Sequence, residues 1–225
     1  MSTTQEKKQA FIDSKVITDV LPGNIELSHD LLVKWPETTL DAAGAELDYE
    51  DTQPQPTLRL SPAPSEPLHN LVLIMSDPDL MMDDDTYFGQ VRHWLVTNIS
   101  TESDGSLSLS NGSQVSSYVA PSPLPNYIYS RPHRYVFIVA RASGNVEVTK
   151  ADLRELQKPY VAAMAGRQES QDIKDRWGFN AQEFMDMKGL KVEAATFMKV
   201  GGTMKSAMKT SGMMAQGMAN KAIGN

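Results

Sequence analysis

The sequence predicts a mainly β protein with peripheral helices, an α+β fold, and three observations support this class. Apolar runs typical of buried strands crowd the middle of the 225-residue chain. Helical patterns lie towards its ends, and strands do not alternate with helices as they do around a parallel sheet. Hydrophobic residues make up 40% of the chain, which is enough to fill a substantial core at this length.

The strand predictions come from apolar runs and from two-residue alternation. The strongest is 71–75, a continuous apolar run that ends just before Asp77 and Pro78. Such a run is typical of a strand buried on both faces. The other predicted strands are 27–35, 57–60, 93–99, 134–140 and 191–200.

Helical spacing predicts a helix over residues 5–20, which the breaker residues Leu21-Pro-Gly-Asn24 then stop. Later helices are predicted over 151–166 and 181–187. These patterns divide the chain into an N-terminal helical segment (1–24), a folded domain (25–200) and a C-terminal tail (201–225).

The tail is rich in methionine, glycine and lysine, and it contains no acidic residue. Its apolar residues lie near helical spacing, but each glycine costs about 1 kcal/mol in a helix. We therefore expect a frayed or disordered appendage. The alternative is a helix that contacts a partner or, weakly, a membrane surface.

Composition excludes several classes of function. The formal net charge of −7 argues against a nucleic-acid binder, which needs a basic surface. The absence of cysteine rules out disulfides and a thiolate nucleophile. No apolar run approaches a membrane span or a signal peptide, so we expect a cytoplasmic protein. Phosphate-loop, dinucleotide and metal-ligand motifs are missing, so we expect neither cofactor nor metal.

Polar side chains stand at the ends of three predicted strands, where a fold collects a concave site. Asp77 and Asp79 follow the first strand, His93 opens the second, and His133 and Tyr135 open the third. Two imidazoles, a carboxylate and a phenol suit a small anion held by hydrogen-bond donors. The aspartate would fix one imidazole tautomer.

These motifs resemble the phosphatidylethanolamine-binding protein family, which includes Raf kinase inhibitor proteins, plant flowering regulators and the yeast-type carboxypeptidase Y inhibitor. The matching segments are Asp77-Pro-Asp, His93-Trp-Leu-Val, Tyr118-Val and His133-Arg-Tyr-Val-Phe. The order and spacing match over about 71–140 and more weakly beyond. The N-terminal helix looks most like fungal members.

The resemblance implies a large central sheet packed on a smaller one, with an N-terminal helix and helices towards the C-terminus. It also implies a pocket for phosphate, a phosphoryl lipid headgroup or a carboxylate. The resemblance and the loop before His133 together give a predicted ligand-binding set: Asp77, Asp79, His93, Pro123, Tyr129, Arg131, His133 and Tyr135.

The loop 121–132 departs most from the family pattern, because it is longer and lacks the glycines that bring a backbone close to a phosphate. One interpretation is drift, with Tyr127 and Tyr129 packing the loop. The other is a remodelled rim, in which Arg131 and Arg92 favour planar carboxylates.

Three functions follow from these features. The first is a binding module for an anionic small molecule or headgroup. The second is an enzyme or enzyme accessory of fungal secondary metabolism, which couples maleic-anhydride-type monomers into maleidrides. In it His93 or His133 is the acid/base, and Arg92 and Arg131 clamp carboxylates. The third is an inhibitor of a serine carboxypeptidase or a kinase, with a protease or enzyme as partner.

Overall fold

The computed structural model describes residues 4–80, 88–123, 131–165, 171–209 and 212. Its strands are β1 (Asp30–Lys34), β2 (Glu46–Leu47), β3 (Thr57–Ser61), β4 (Leu71–Asp77), β5 (Val91–Thr101), β6 (Leu107–Ser108), β7 (Ser113–Ser116), β8 (His133–Arg141) and β9 (Lys191–Val200). Its α-helices are α1 (Thr4–Asp13), α2 (Val16–Asp19), α3 (Lys150–Gln157), α4 (Val161–Met164), α5 (Gln171–Lys174) and α6 (Ala181–Lys188). Single 3₁₀ turns lie at Glu50–Thr52, Leu109–Asn111 and Lys158–Tyr160, and residues 204–209 are helical.

Two sheets form the architecture. The large sheet has the strand order β2-β9-β8-β4-β5-β6, with β7 also paired to β5. Its strands are antiparallel except for β2, which runs parallel to β9. The small sheet is the antiparallel pair β1–β3. The predicted class, a large sheet on a smaller one with peripheral helices, is confirmed.

The large sheet separates two apolar cores, because successive side chains of a strand point to opposite faces. On one face, Trp35 and Leu58 of the small-sheet side pack with Phe137 and Trp94 of the large sheet. On the other face, the helices contribute Phe11 of α1, Leu156 of α3 and Phe184 of α6 to the second core. All seven residues of β4 are buried, as its apolar run predicts.

The predicted strands are confirmed with shifts of a few residues at their ends, but two predicted helices are shorter. The first helix ends at Asp13, and Lys15 then adopts a left-handed conformation with φ 53° before the irregular turn α2. The helix predicted over 151–166 breaks at the Lys158–Tyr160 turn, where Pro159 lacks the N–H that an α-helix needs.

The beginning of the tail is docked rather than frayed. Thr203 Oγ1 accepts a hydrogen bond from the Ser206 N–H at 3.0 Å, and Ser206 Oγ accepts one from the Thr203 N–H at 2.8 Å. This reciprocal pair starts the helix at 204–209, as a capping box does. The rest of the tail, apart from residue 212, lies outside the described residues.

Candidate functional site

A β-bulge at the end of β4 and the start of β5 places His93 in the site. Met75 pairs with Trp94, whereas Ser76 pairs with Arg92, so His93 is the extra residue on β5. The bulge brings the His93 side chain to the face that carries Asp77, the last residue of β4. His93 Nε2 lies 3.9 Å from Asp77 Oδ2.

His133 forms the closest pair with Asp77. Its Nδ1 lies 2.9 Å from Asp77 Oδ2, and Asp77 is 3% exposed. Burial alone would lower the pKa of His133, but the charge and hydrogen bond of Asp77 outweigh burial and raise it. Burial likewise opposes ionisation of Asp77, yet His133 holds the pKa of that carboxyl below its usual value. Both shifts favour an imidazolium bound to a carboxylate.

His93 has the opposite protonation state. Its Nδ1 lies 2.7 Å from the Val119 carbonyl oxygen, and a carbonyl only accepts, so Nδ1 carries the proton. Burial lowers the pKa of His93 and exceeds the opposing effect of Asp77. A neutral His93 therefore presents the lone pair of Nε2 to the site.

Tyr118 explains why the Val119 carbonyl is in place for His93. The Tyr118 ring packs edge-on against Trp94 with 5.2 Å between ring centroids. Its hydroxyl donates to the Thr52 carbonyl at 2.7 Å, and burial raises its pKa to about 12. These contacts anchor the chain one residue before Val119.

Tyr135 forms a wall between the two imidazoles. Its ring centroid lies 5.1 Å from that of His93, edge-on, and 6.3 Å from that of His133, nearly parallel. Burial raises the pKa of Tyr135 well above its ordinary value, and the Asp77 charge adds to this. The phenol therefore stays neutral, and its hydroxyl hydrogen-bonds to the backbone of Ser122.

Asp79 does not face the imidazoles and instead binds two arginines. Its Oδ2 accepts from Arg134 Nε at 2.9 Å and from the Arg134 backbone N–H at 2.8 Å. Its Oδ1 accepts from Arg134 Nη2 at 2.7 Å and from Arg131 Nη2 at 2.7 Å. Arg134 also reaches Asp19 Oδ2 at 2.7 Å, so this network fixes the N-terminal segment behind the site.

Arg134 is a residue that the sequence reasoning missed. It lies between His133 and Tyr135 in β8, and its side chain is 2% exposed. An arginine inside an otherwise buried strand is a signal that a carboxylate must be near. Asp79 is that carboxylate, which explains why two aspartates follow β4.

The C-terminal helical segment holds the rim of the site. Ser206, which is completely buried, donates through Oγ to the Pro123 carbonyl at 2.6 Å. Lys209 Nζ donates to Gln53 Oε1 at 2.8 Å, and Gln53 Nε2 donates to the Pro121 carbonyl at 3.1 Å. Sequence reasoning found Pro123 but not this contact, since the tail has no strong pattern.

The remaining predicted residues are placed differently. Tyr129 and Tyr127 lie outside the described residues. Arg131 reaches Asp79, with a side chain 38% exposed. The role predicted for Arg92 is wrong. Its side chain leaves β5 on the opposite face and donates to Ser116 Oγ, so it cannot clamp a ligand beside His133. The alternation of a strand separates neighbouring residues in this way.

Metal-ligand clusters and membrane-spanning helices are both missing from the described part of the chain. Within the described ranges, no group of three histidine, cysteine, aspartate or glutamate residues is arranged to hold a metal ion. No helix in that part of the chain is long and apolar enough to cross a membrane.

The family follows from a comparison of the chain with known proteins. The model of a family described as phosphatidylethanolamine-binding protein matches residues 35–194, a range that contains Asp77, His93 and His133. The chain therefore belongs to the phosphatidylethanolamine-binding protein family.

Curated relatives match over part of their length. The chain is 35% identical over 83 residues to CEN-like protein 1 of Nicotiana tabacum, covering 37% of this chain and 42% of that protein. It is 29% identical over 122 residues to an uncharacterized protein of Saccharomyces cerevisiae, covering 52% and 59%. The chain thus spans about half the length of the curated relatives it matches. The yeast relative fits a fungal-type member.

Solved structures share the fold. A carboxypeptidase Y inhibitor, solved in complex with its cognate proteinase, superposes with a TM-score of 0.65 at 15% identity, covering 88% of this chain and 96% of that one. A phosphatidylethanolamine-binding protein from Plasmodium vivax gives 0.63 at 19% identity, covering 88% and 98%.

Proposed function

We propose that the pocket formed by Asp77, His93, His133 and Tyr135 binds a small anion, and that the chain is a ligand-binding module. The ligand is a phosphate, a phosphoryl lipid headgroup or a carboxylate. The observation that carries this proposal is the Asp77–His133 pair at 2.9 Å. It keeps His133 cationic, and Nε2 of that ring has no hydrogen-bond partner among the described residues.

The second imidazole makes binding depend on pH. Neutral His93 turns a lone pair towards the site and repels an anionic oxygen. When an anion enters, its charge favours the protonated ring, which then donates from Nε2. Binding therefore takes up a proton at His93, and acidic pH favours it.

The rim supplies the other proposed contacts. The hydrogen bond from Ser206 holds the Pro123 carbonyl in place, so Pro123 is assigned to the rim. Tyr135 forms the wall behind the imidazoles. Arg131 shares Asp79 with Arg134, so we assign it to the rim with Tyr129. Asp79 supports the site without touching the ligand.

Calorimetric titration tests the binding-module proposal. The ligands are phosphoethanolamine, inorganic phosphate and a substituted maleic diacid, applied at low salt to the full chain. We expect His133→Ala to lower the affinity for the preferred ligand tenfold or more, since hydrogen bonds to charged groups contribute about 1.5–3 kcal/mol. The control is His69→Ala, because His69 is exposed. Unchanged affinity in His133→Ala would contradict the proposal.

A second candidate is an enzyme, or an enzyme accessory, of fungal secondary metabolism acting on maleic-anhydride-type or diacid monomers. The opposite protonation states of the imidazoles favour it, because neutral His93 can accept a proton and cationic His133 can donate one. The loss of Arg92 from the pocket removes one predicted carboxylate clamp. If His93→Ala and His133→Ala leave product formation of such a pathway unchanged, the enzyme candidate is wrong.

A third candidate is an inhibitor of a serine carboxypeptidase or a kinase. Its support is the likeness of fold to a carboxypeptidase Y inhibitor. Helix α1 packs on the core through Phe11, whose ring lies 5.6 Å from that of Phe197, and its Ile12 is 48% exposed. A purified serine carboxypeptidase, assayed with the chain and with a variant lacking 1–20, tests this candidate. If the carboxypeptidase is equally active with and without the full chain, the inhibitor candidate is wrong.

We propose a cytoplasmic location, where phosphorylated metabolites and lipid headgroups are available. Weak membrane contact through the tail stays a prediction. It is supported by Met204 and Met208, which are 66% and 72% exposed. Sedimentation with vesicles, compared between the chain and Met208→Ser, would detect the contact.

A further inference from the structure

A second polar cavity lies on the opposite face of the large sheet from the imidazole pocket. It is a cleft of about 1140 Å³ lined by the edge strand β7, the loop 145–149, helix α3 and residues around Arg176. Arg92 opens into it, one residue before His93, because the two side chains leave β5 on opposite faces.

Two buried guanidinium groups line this cleft. Arg92 is 3% exposed and Arg176 is 8% exposed. Arg92 donates from Nε to Ser116 Oγ at 2.7 Å and from Nη2 to the Asp175 carbonyl at 2.8 Å. Arg176 donates to the Ser117 carbonyl at 3.0 Å and to Ser117 Oγ at 3.1 Å. These acceptors are all neutral oxygens.

Carboxylates balance the two cations only weakly. Asp172 Oδ2 lies 3.5 Å from Arg176 Nε, but its side chain is 77% exposed, so water screens the pair. Burial and then the charge of Arg176 lower the pKa of Arg92 to about 10, while Asp175 and Asp172 act against this. Arg176 Nε is buried and makes no hydrogen bond to the described residues.

Packing explains part of this arrangement. The Arg92 guanidinium lies 5.6 Å from the Phe179 ring centroid, a distance at which a cation and an aromatic face attract. That contact does not use the donors of Arg176. Burying two neighbouring cations beside neutral oxygens is costly in a purely structural role, and such an arrangement is typical of a binding site.

We propose that this cleft binds an oxyanion, a carboxylate or a phosphate group carried by a polar ligand. The fork of a guanidinium group matches both in geometry. Lys150 and Arg154 of α3, both exposed, line the same cleft, so that its four basic residues face the three carboxylates of Glu147, Asp172 and Asp175. The binding module therefore has a second anion site, with the sheet between the two.

Nuclear magnetic resonance on the full chain tests the site directly. Backbone amide signals are followed during titration with inorganic phosphate in one series and with succinate in another, which distinguishes the two sources of oxyanion. We expect saturable shifts at Ser116, Ser117 and Arg176 with at least one probe. Absence of shifts there with both probes would overturn the proposal.

Variants separate this site from the imidazole pocket. Arg92→Gln should weaken binding at the cleft at least tenfold, and Arg154→Gln should weaken it severalfold without disturbing the core. Arg141→Gln is the control, since Arg141 is exposed at the far end of β8. If Arg92→Gln does not fold, Arg154→Gln alone decides, and unchanged binding overturns the proposal.

His133→Ala distinguishes failure of one site from failure of the other. The cleft signals should still shift in this variant, whether or not the imidazole pocket binds an anion in the wild type. Loss of the cleft shifts in His133→Ala would show that they report the pocket, and the second site would be wrong.

Discussion

The two faces of the sheet at the start of β5 differ in how buried charge is balanced. On the pocket face, carboxylates neutralise the cations: Asp77 binds His133, and Asp79 binds Arg134 behind it. On the cleft face, Arg92 and Arg176 are buried beside neutral oxygens. Arg134 is saturated by carboxylates and therefore supports the fold, whereas His133 keeps one ring N–H for a ligand even though Asp77 balances its charge. The buried cations of the cleft face are balanced only weakly, so their charge is available to a ligand.

Removing one carboxylate from each face should show the largest difference between the two faces. Asp79→Asn leaves Arg134 buried without its bidentate partner, and we expect the free energy of unfolding to fall by about 3–5 kcal/mol. Asp172→Asn on the cleft face should cost less than about 1 kcal/mol, because the Asp172 carboxylate is 77% exposed and water screens its pair with Arg176. Urea unfolding measures both. Equal losses would contradict the difference between the faces.

Proton uptake sharpens the description of the pocket face. Between about pH 6.5 and 5.5, His133 stays cationic because its pKa is raised, while His93 gains a proton as an anion binds. Affinity for sulfate, whose charge does not change there, should therefore rise by up to about tenfold over that unit. Calorimetry measures the affinity.

His93→Gln is the matched variant for proton uptake. Its amide donates at every pH, so the affinity of the variant should stay flat over the same interval. A wild-type affinity that stays flat over that interval would mean that no proton is taken up at His93 on binding, and one that falls on acidification would mean that a proton is released; either result contradicts the account.

The C-terminal contact belongs to the pocket face alone. Ser206→Ala removes both the hydrogen bond to the Pro123 carbonyl and the one from the Thr203 N–H, and it should cost about 1–3 kcal/mol in unfolding free energy. The substitution should weaken binding of an anion in the pocket but not binding of an anion in the cleft. Ser143→Ala, at an exposed position, is the control. Equal weakening at both sites would show a global effect rather than a rim contact.

The smallest expected effect is the pH dependence of stability. The folded pKa of His133 is raised, so its stabilising contribution is complete below about pH 6.5 and is lost as pH rises through the folded value. The stability difference between wild type and His133→Asn should therefore be larger, by up to about 1 kcal/mol, near pH 5.5 than near pH 8.5. His69→Asn is the control, since His69 is exposed. Thermal unfolding in the two buffers measures it.

Sequence reasoning recovered what periodicity and motifs encode. The continuous run of β4 predicts a strand buried on both faces, and the strand-end residues Asp77, His93 and His133 do come together. The short strands β2, β6 and β7 could not be predicted. They have two to four residues, which are too few for a two-residue period to be recognised. The helix at 204–209 forms because Thr203 and Ser206 cap it, against the glycine-rich composition.

The site details depend on contacts that lie far apart in the sequence. The proton on His93 Nδ1 follows from a carbonyl 26 residues away, and Asp79 is satisfied by an arginine 55 residues away. Even the side of the sheet that His93 faces depends on a bulge, which no local pattern reveals. The direction of Arg92, by contrast, follows from strand alternation, which places neighbouring residues on opposite faces of the sheet.

The central claim is that Asp77 keeps one imidazole cationic and leaves the other neutral. Titration of the ring nitrogen signals of ¹⁵N-labelled histidine measures this directly, with His133→Ala and His93→Gln assigning the signals. We predict that His133 titrates above about 6.5 and His93 below it, and that sulfate moves the His93 transition upward. The reverse order, with His93 titrating above His133, would contradict the account.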